Sequence, residues 1–313
     1  MSNGQTKETI VCREPNGVVP SWPPKLSVLN PAEGFVRLRL VLAYLGNRFH
    51  GWQTQAHKTA DQPITVQSCL EAAFSHICSR PIRVHGASRT DAGVHALGQV
   101  AHADVPAAKA GIDWCAAIND HVPKALCVLT VTLAPAGFHA RFSARAKTYL
   151  YSLWLSRQYV IPQRRPYVWA VGELDLVAME AAAAMLQGKH NFACFMNLGT
   201  PVKSTVRTLY EVAWVRPVAF DLQAGAAGEL SIAGPELVWQ LTGDGFLKQM
   251  ARNIMGCLVA VGRGRFQAEA VPELLAGRDR NKAPATAPAW GLTLYRVYDQ
   301  SLPLHTFLTN FHR

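Results

Sequence analysis

No stretch of about 18 consecutive apolar residues occurs in this chain, so a membrane-spanning helix is not expected. The opening Met1-Ser2-Asn3-Gly4-Gln5-Thr6-Lys7-Glu8 lacks the apolar core of a secretory signal, which leads us to expect a cytoplasmic protein. Its seven cysteines (Cys12, Cys69, Cys78, Cys115, Cys127, Cys194 and Cys257) are scattered and never form a Cys-x-x-Cys pair. Neither a disulfide framework nor a zinc ribbon is suggested, and reduced thiols are expected. Histidines such as His85, His102, His121 and His139 show no metal-ligand spacing, so no metal is assigned. The pair Gly262-x-Gly264 is too short for a phosphate-cradling loop, and no cofactor is expected. Acidic residues are in short supply: 21 Asp and Glu stand against 31 Lys and Arg, a formal charge of +10. That excess favours a polyanionic partner through steering and counterion release, with nucleic acid ahead of an anionic membrane.

What is present is the composition of a folded protein: 313 residues, 49% hydrophobic and 17% charged. Residues 1–33 carry five prolines, two glycines and no sustained periodicity, and read as an irregular or disordered extension. Strand patterns follow at Phe35 to Tyr44 and Leu126 to Leu133, with a helix pattern after Thr65 on Val66, Leu70, Ala73, Phe74 and Ile77. The second half repeats this grammar. Lys147 to Leu155 alternates as a strand, and Asp175 caps a helix through Leu176, Met179, Ala183 and Leu186. Strands at Thr205 to Val215 and Glu236 to Leu241, a helix over about Phe246 to Val261, and a strand at Leu292 to Val297 complete it. The order predicts an α+β fold of two similar halves, 34–136 and 137–313, each a mixed or antiparallel sheet with helices on one face. The halves are expected to meet edge to edge or face to face around a central cleft. No internal repeat is visible at the level of sequence.

The most informative segment runs Gly86-Ala87-Ser88-Arg89-Thr90-Asp91-Ala92-Gly93-Val94-His95-Ala96-Leu97-Gly98-Gln99, between two β-prone runs. A carboxylate on a loop leaving a sheet suits chemistry; Asp and Gly also suit an ordinary turn. As nucleophile or general base Asp91 must be ionised and aimed, which calls for a cation if it is buried. Arg252, in Phe246-Leu247-Lys248-Gln249-Met250-Ala251-Arg252-Asn253-Ile254-Met255-Gly256, is the candidate partner; the alternative is a solvated surface arginine. A third block, Phe138-His139-Ala140-Arg141-Phe142-Ser143-Ala144-Arg145-Ala146-Lys147-Thr148-Tyr149-Leu150-Tyr151, opens a stretch, 137–165, with six Lys or Arg and no acid. Cations for phosphate interleaved with Phe142, Tyr149 and Tyr151 suit RNA, as would a solvated face over core aromatics.

The Arg-Thr-Asp-Ala-Gly-Val-His-Ala core around Asp91 resembles the signature of the TruA-type tRNA pseudouridine synthases. So do the Phe138 and Phe246 blocks, Tyr44 with Phe49-His50-Gly51-Trp52-Gln53, Thr65-Val66-Gln67, Thr286-Ala287-Pro288-Ala289 and Gly291-Leu292, in the same order. The resemblance implies the pseudouridine synthase fold and isomerisation of uridine at tRNA positions 38 to 40 in the anticodon stem-loop, by a homodimer that uses no cofactor. It further implies that Asp91 and Arg252 are the catalytic pair, that Tyr149 packs on the target base, and that Arg89 holds the nucleotide out of the helix. Thr90 and His95 match as well, in roles that are either functional or structural. The sequence departs at Tyr44-Leu45-Gly46, where the family has Tyr-Asp-Gly, at Ser88, commonly glycine, at Gly243-Asp244-Gly245-Phe246, and in a longer stretch from Ala56 to Pro63. A non-catalytic RNA-binding protein is the alternative; a glycosidic-bond hydrolase would need a second carboxylate, and Asp104 reads as a surface residue of the next strand.

Overall fold

The computed structural model describes residues 30–53, 63–199, 202–215 and 235–300. The extension at 1–29, and the lengthened stretch up to residue 62, lie outside these residues. In chain order the strands and helices are β1 (Phe35–Tyr44), α1 (Val66–Cys78), β2 (Val84–Gly86), β3 (His95–Pro106), α2 (Trp114–Asn119) and β4 (Leu126–Leu133). Then come β5 (Ala146–Trp154), β6 (Trp169–Ala170), α3 (Leu176–Leu186), β7 (Gly188–Asn191), β8 (Val206–Val215), β9 (Glu236–Gly243), α4 (Met250–Gly262), α5 (Val271–Gly277) and β10 (Leu292–Tyr298).

All ten strands belong to one mixed sheet, ordered β4-β1-β3-β10-β5-β9-β8-β7, with β2 on β3 and β6 on β5. The strands that precede residue 137 and those that follow it therefore join edge to edge. The last strand makes the seam: β10 pairs parallel to β3 at Thr293–His95 and Leu294–Ala96, and antiparallel to β5 from Leu292–Tyr151 to Tyr298–Ala146. β2 takes the same edge of β3 further along, at Ala101 to Ala103. The loop from β2 back to the start of β3 is thereby delivered to the seam, and this loop carries Asp91.

Local signals behave as their chemistry requires. Thr65 and Ser68 close a reciprocal capping box on α1, burying Val66, Leu70, Ala73 and Phe74. Asp175 accepts from the Ala178 amide at the start of α3. On β1, Leu38, Leu40 and Leu42 enter the core. The opposite parity holds Arg37 and Arg39, buried and paired with Asp104 and Asp299. Asp104 is thus a structural partner, held by both Nε and Nη2 of Arg37 at 2.7 and 2.8 Å, rather than a plain surface residue.

The helix expected from Phe246 begins four residues later, at Met250. Asp244 is engaged by β8 instead, giving its amide to Thr208 and accepting the Thr208 amide, and Gln249 sits in the left-handed region at φ 62°. Phe246 is left outside the helix, with its ring edge-on to Tyr149 at 4.9 Å.

Candidate active site

The Asp91 loop is fixed by backbone contacts that tolerate little change. Asp91 C=O accepts from the Val94 amide, closing a turn in which Gly93 adopts φ 84°. Gly46 lies so close beneath that a Cβ there would be 2.1 Å from the Val94 oxygen. The Trp52 amide donates to Thr90 C=O at 3.0 Å, and the Tyr44 and Thr90 hydroxyls pair at 2.8 Å. His95 completes this support: the Gly46 amide donates to its Nδ1, so Nε2 carries the proton given to Pro166 C=O at 3.0 Å. Burial keeps its imidazole below the usual histidine range. Thr90 and His95 therefore hold the loop.

Asp91 and Arg252 meet across the seam, Arg252 Nη1 donating to Asp91 Oδ2 at 3.2 Å. The side chains are 26% and 15% exposed, so the pair is partly desolvated yet reachable from solvent. Arg252 stands in the first turn of α4, and its Nε donates to Ala287 C=O at 2.9 Å while the Ala287 amide returns a bond to Arg252 C=O. The segment that presents Ala287 is itself clamped to α4. Asn253 Oδ1 accepts from Thr286 and Arg280, and Gly256 admits Ala285 C=O where a Cβ would stand 1.9 Å away. The guanidinium is aimed by helix and loop together.

Lys147, Tyr149 and Tyr151 share one face of β5. Tyr149 is nearly buried and its hydroxyl pairs with Ser88 Oγ at 2.8 Å. Burial pushes its phenol up to about 12; the Ser88 hydrogen bond works against that, and the Asp91 charge adds to it. Tyr151 is wholly buried, packs against Gly291 and donates to Pro288 C=O, which makes it a wall behind Arg252 rather than a surface for a base. Lys147 Nζ donates to Ala87 C=O at 2.8 Å, and burial, with Arg141 and Arg207 adding to it, brings its ammonium down to about 8. Arg89, two residues before Asp91, is exposed, and partial burial and the nearby Arg141 charge lower it from the ordinary arginine range.

The basic stretch divides. Arg141 and Arg145 are exposed and Phe142 is open beside Arg141, whereas Arg164 is committed to both carboxylate oxygens of Glu236. Sequence reasoning passed over Gln99, although a glutamine inside the apolar run Gly98-Gln99-Val100-Ala101 was a signal. Fully buried, it accepts the Ser88 amide and donates to Ser88 C=O at 2.7 Å. Among the described residues no cluster of His, Cys, Asp and Glu has the makings of a metal site, and no helix is long and apolar enough to cross a membrane.

A carboxylate loop and an arginine-bearing helix thus converge at the seam of one mixed sheet, with a tyrosine beside them. The chain belongs to the tRNA pseudouridine synthase family, whose model matches residues 40–143 and 182–298. It is 49% identical over 287 residues to the tRNA pseudouridine synthase A of Nitratidesulfovibrio vulgaris strain Hildenborough, covering 84% of this chain and 96% of that one. With the tRNA pseudouridine synthase A of Solidesulfovibrio magneticus it shares 51% identity over 265 residues, 83% of this chain and 90% of the relative. The Geobacillus kaustophilus protein of that name is 36% identical over 263 residues, 84% and 94% of the two chains.

Proposed function

We propose that this chain isomerises uridine to pseudouridine in the anticodon stem-loop of tRNA, at positions 38 to 40. The observation that carries the reading is the Asp91–Arg252 ion pair, presented at the seam by two segments 161 residues apart and next to a buried tyrosine. The reaction breaks the bond between uracil N1 and ribose C1′ and forms one from C5 to C1′; the C5 proton leaves and N1 gains one. No electrons are exchanged with an outside partner, so no redox cofactor is called for.

In this reading Asp91 starts the reaction, either by attacking the nucleoside or by removing a ribose proton, and Arg252 keeps its carboxylate aimed. The target must first leave the helical stack, which costs a few kcal/mol. Exposed Arg89 holds the displaced nucleotide, its planar guanidinium suited to stacking and to phosphate alike. Tyr149 packs on the base. Arg141 and Arg145, both exposed in the basic block, engage the backbone electrostatically, in keeping with the +10 charge. The working form is a cytoplasmic homodimer holding one L-shaped tRNA between its subunits, each subunit divided near residue 136.

Sequencing of carbodiimide-treated tRNA, before and after incubation with the protein, tests the substrate assignment. New pseudouridine confined to positions 38 to 40 supports it, and modification elsewhere contradicts it. Tight, salt-sensitive binding with no new pseudouridine would favour a non-catalytic RNA-binding protein.

A further inference from the structure

We infer that Ser88 is a positioning residue for the reaction, acting through the hydroxyl of Tyr149. The inference rests on the proposed roles of Asp91 and Tyr149. Ser88 Oγ and Tyr149 OH lie 2.8 Å apart, and both residues are buried, at 8% and 5% exposure. A hydroxyl pair so enclosed has little access to water, so each group depends on the other for its hydrogen bond. Ser88 is in turn immobile. Its amide and carbonyl are both held by the side chain of Gln99, at 3.2 and 2.7 Å, and Gln99 Nε2 reaches on to Tyr44 OH at 3.4 Å.

Tyr149 is thus gripped at two points. Phe246 meets its ring edge-on, at an interplanar angle of 76°, and Ser88 takes the tip. The first contact sets the plane of the ring, and the second fixes where the hydroxyl and its proton point. Because Ser88 is three residues before Asp91 on a loop with so many backbone ties, the same clamp sets the phenol's position relative to the carboxylate. A phenol that packs on the base beside the Asp91 carboxylate needs both placements, since catalytic groups lose rate steeply when their aim is relaxed.

A double-mutant cycle with the full chain and tRNA tests this. Ser88→Ala is expected to slow turnover at saturating tRNA about threefold to tenfold with tRNA affinity unchanged, and Ser88→Gly to behave alike. In a Tyr149→Phe background, itself slowed, Ser88→Ala is expected to change nothing further. An equal loss in both backgrounds, a change in affinity alone, no loss in Ser88→Ala, or a fully active Tyr149→Phe would each overturn the inference. Asp91→Asn, assayed alongside, separates the two levels: full activity there would overturn the underlying reading, whereas an inactive Asp91→Asn beside an unimpaired Ser88→Ala would overturn the role of Ser88 alone.

Discussion

Arg252 reaches Asp91 with one nitrogen of its guanidinium, Nη1 to Oδ2 at 3.2 Å, and anchors itself to Ala287 C=O with another, Nε at 2.9 Å. The anchor leaves the charge directed at the carboxylate with little rotational freedom. It also explains why an arginine is used, since the planar guanidinium holds two separate nitrogens towards the two acceptors, whereas a lysine has all its donors on one flexible ammonium.

Arg252→Gln is accordingly expected to lower turnover by about ten- to a hundredfold, as loss of a charge-assisted hydrogen bond of roughly 1.5–3 kcal/mol implies. Arg252→Lys should fall between Gln and wild type. Steady-state kinetics on tRNA read this directly; a Lys variant equal to wild type would refute the two-acceptor account.

The backbone approach beneath the Asp91 loop gives a stability prediction. Gly46→Ala forces a methyl group to within 2.1 Å of the Val94 oxygen, so the Asp91 loop must shift. A cost of about 1–3 kcal/mol in thermal or urea unfolding is expected, with turnover reduced. Gly111→Ala is the control, having nothing within 4 Å of the added carbon.

Acid should destabilise the protein through a histidine cluster away from Asp91. The His85, His102 and His139 rings pack on one another, with His102–His139 at 4.5 Å and His85–His102 at 5.0 Å. Burial first, and then the Arg37 charge and the other two rings, hold His102 down to about 2. Burial, followed by His85 and Arg37, brings His139 down to about 4. Below pH 6.5 the unfolded chain takes up protons that the folded one does not, so stability falls as pH drops from about 6.5 towards 4. Each histidine contributes a slope of up to about 1.4 kcal/mol per pH unit. His102→Asn keeps an acceptor for the Ala140 amide, which now bonds Nδ1, but does not titrate. Urea midpoints measured across this range should vary less with pH in that variant; an unchanged slope would show that His102 is not responsible.

The parts legible in the sequence are those fixed by neighbours in the chain. Leu126–Leu133 is a strand as its pattern indicates, and Thr65 and Asp175 cap the helices they precede. The Asp91 loop and the Arg252 block were recognisable as strings of chemically suggestive residues. What could not be read is long-range pairing. Nothing in Leu292 to Tyr298 announces that β10 is the strand between β3 and β5, because its register is set by partners far away in sequence. Arg164 looked like part of an RNA-binding run until Glu236, 72 residues on, met it. Ser88 was visible only as a departure from a motif; its partner is 61 residues away on β5. The start of α4 was misplaced because Asp244 answers to Thr208 across the sheet instead of to its own helix.

If Asp91 drives substitution at C5 of uridine, tritium must leave tRNA labelled at that carbon. Wild type and Asp91→Asn, which differ by one isosteric side chain, would be compared at matched tRNA occupancy. The account requires release by wild type and none above background by Asp91→Asn. Equal release by the two, or none by wild type with tRNA bound, would contradict it.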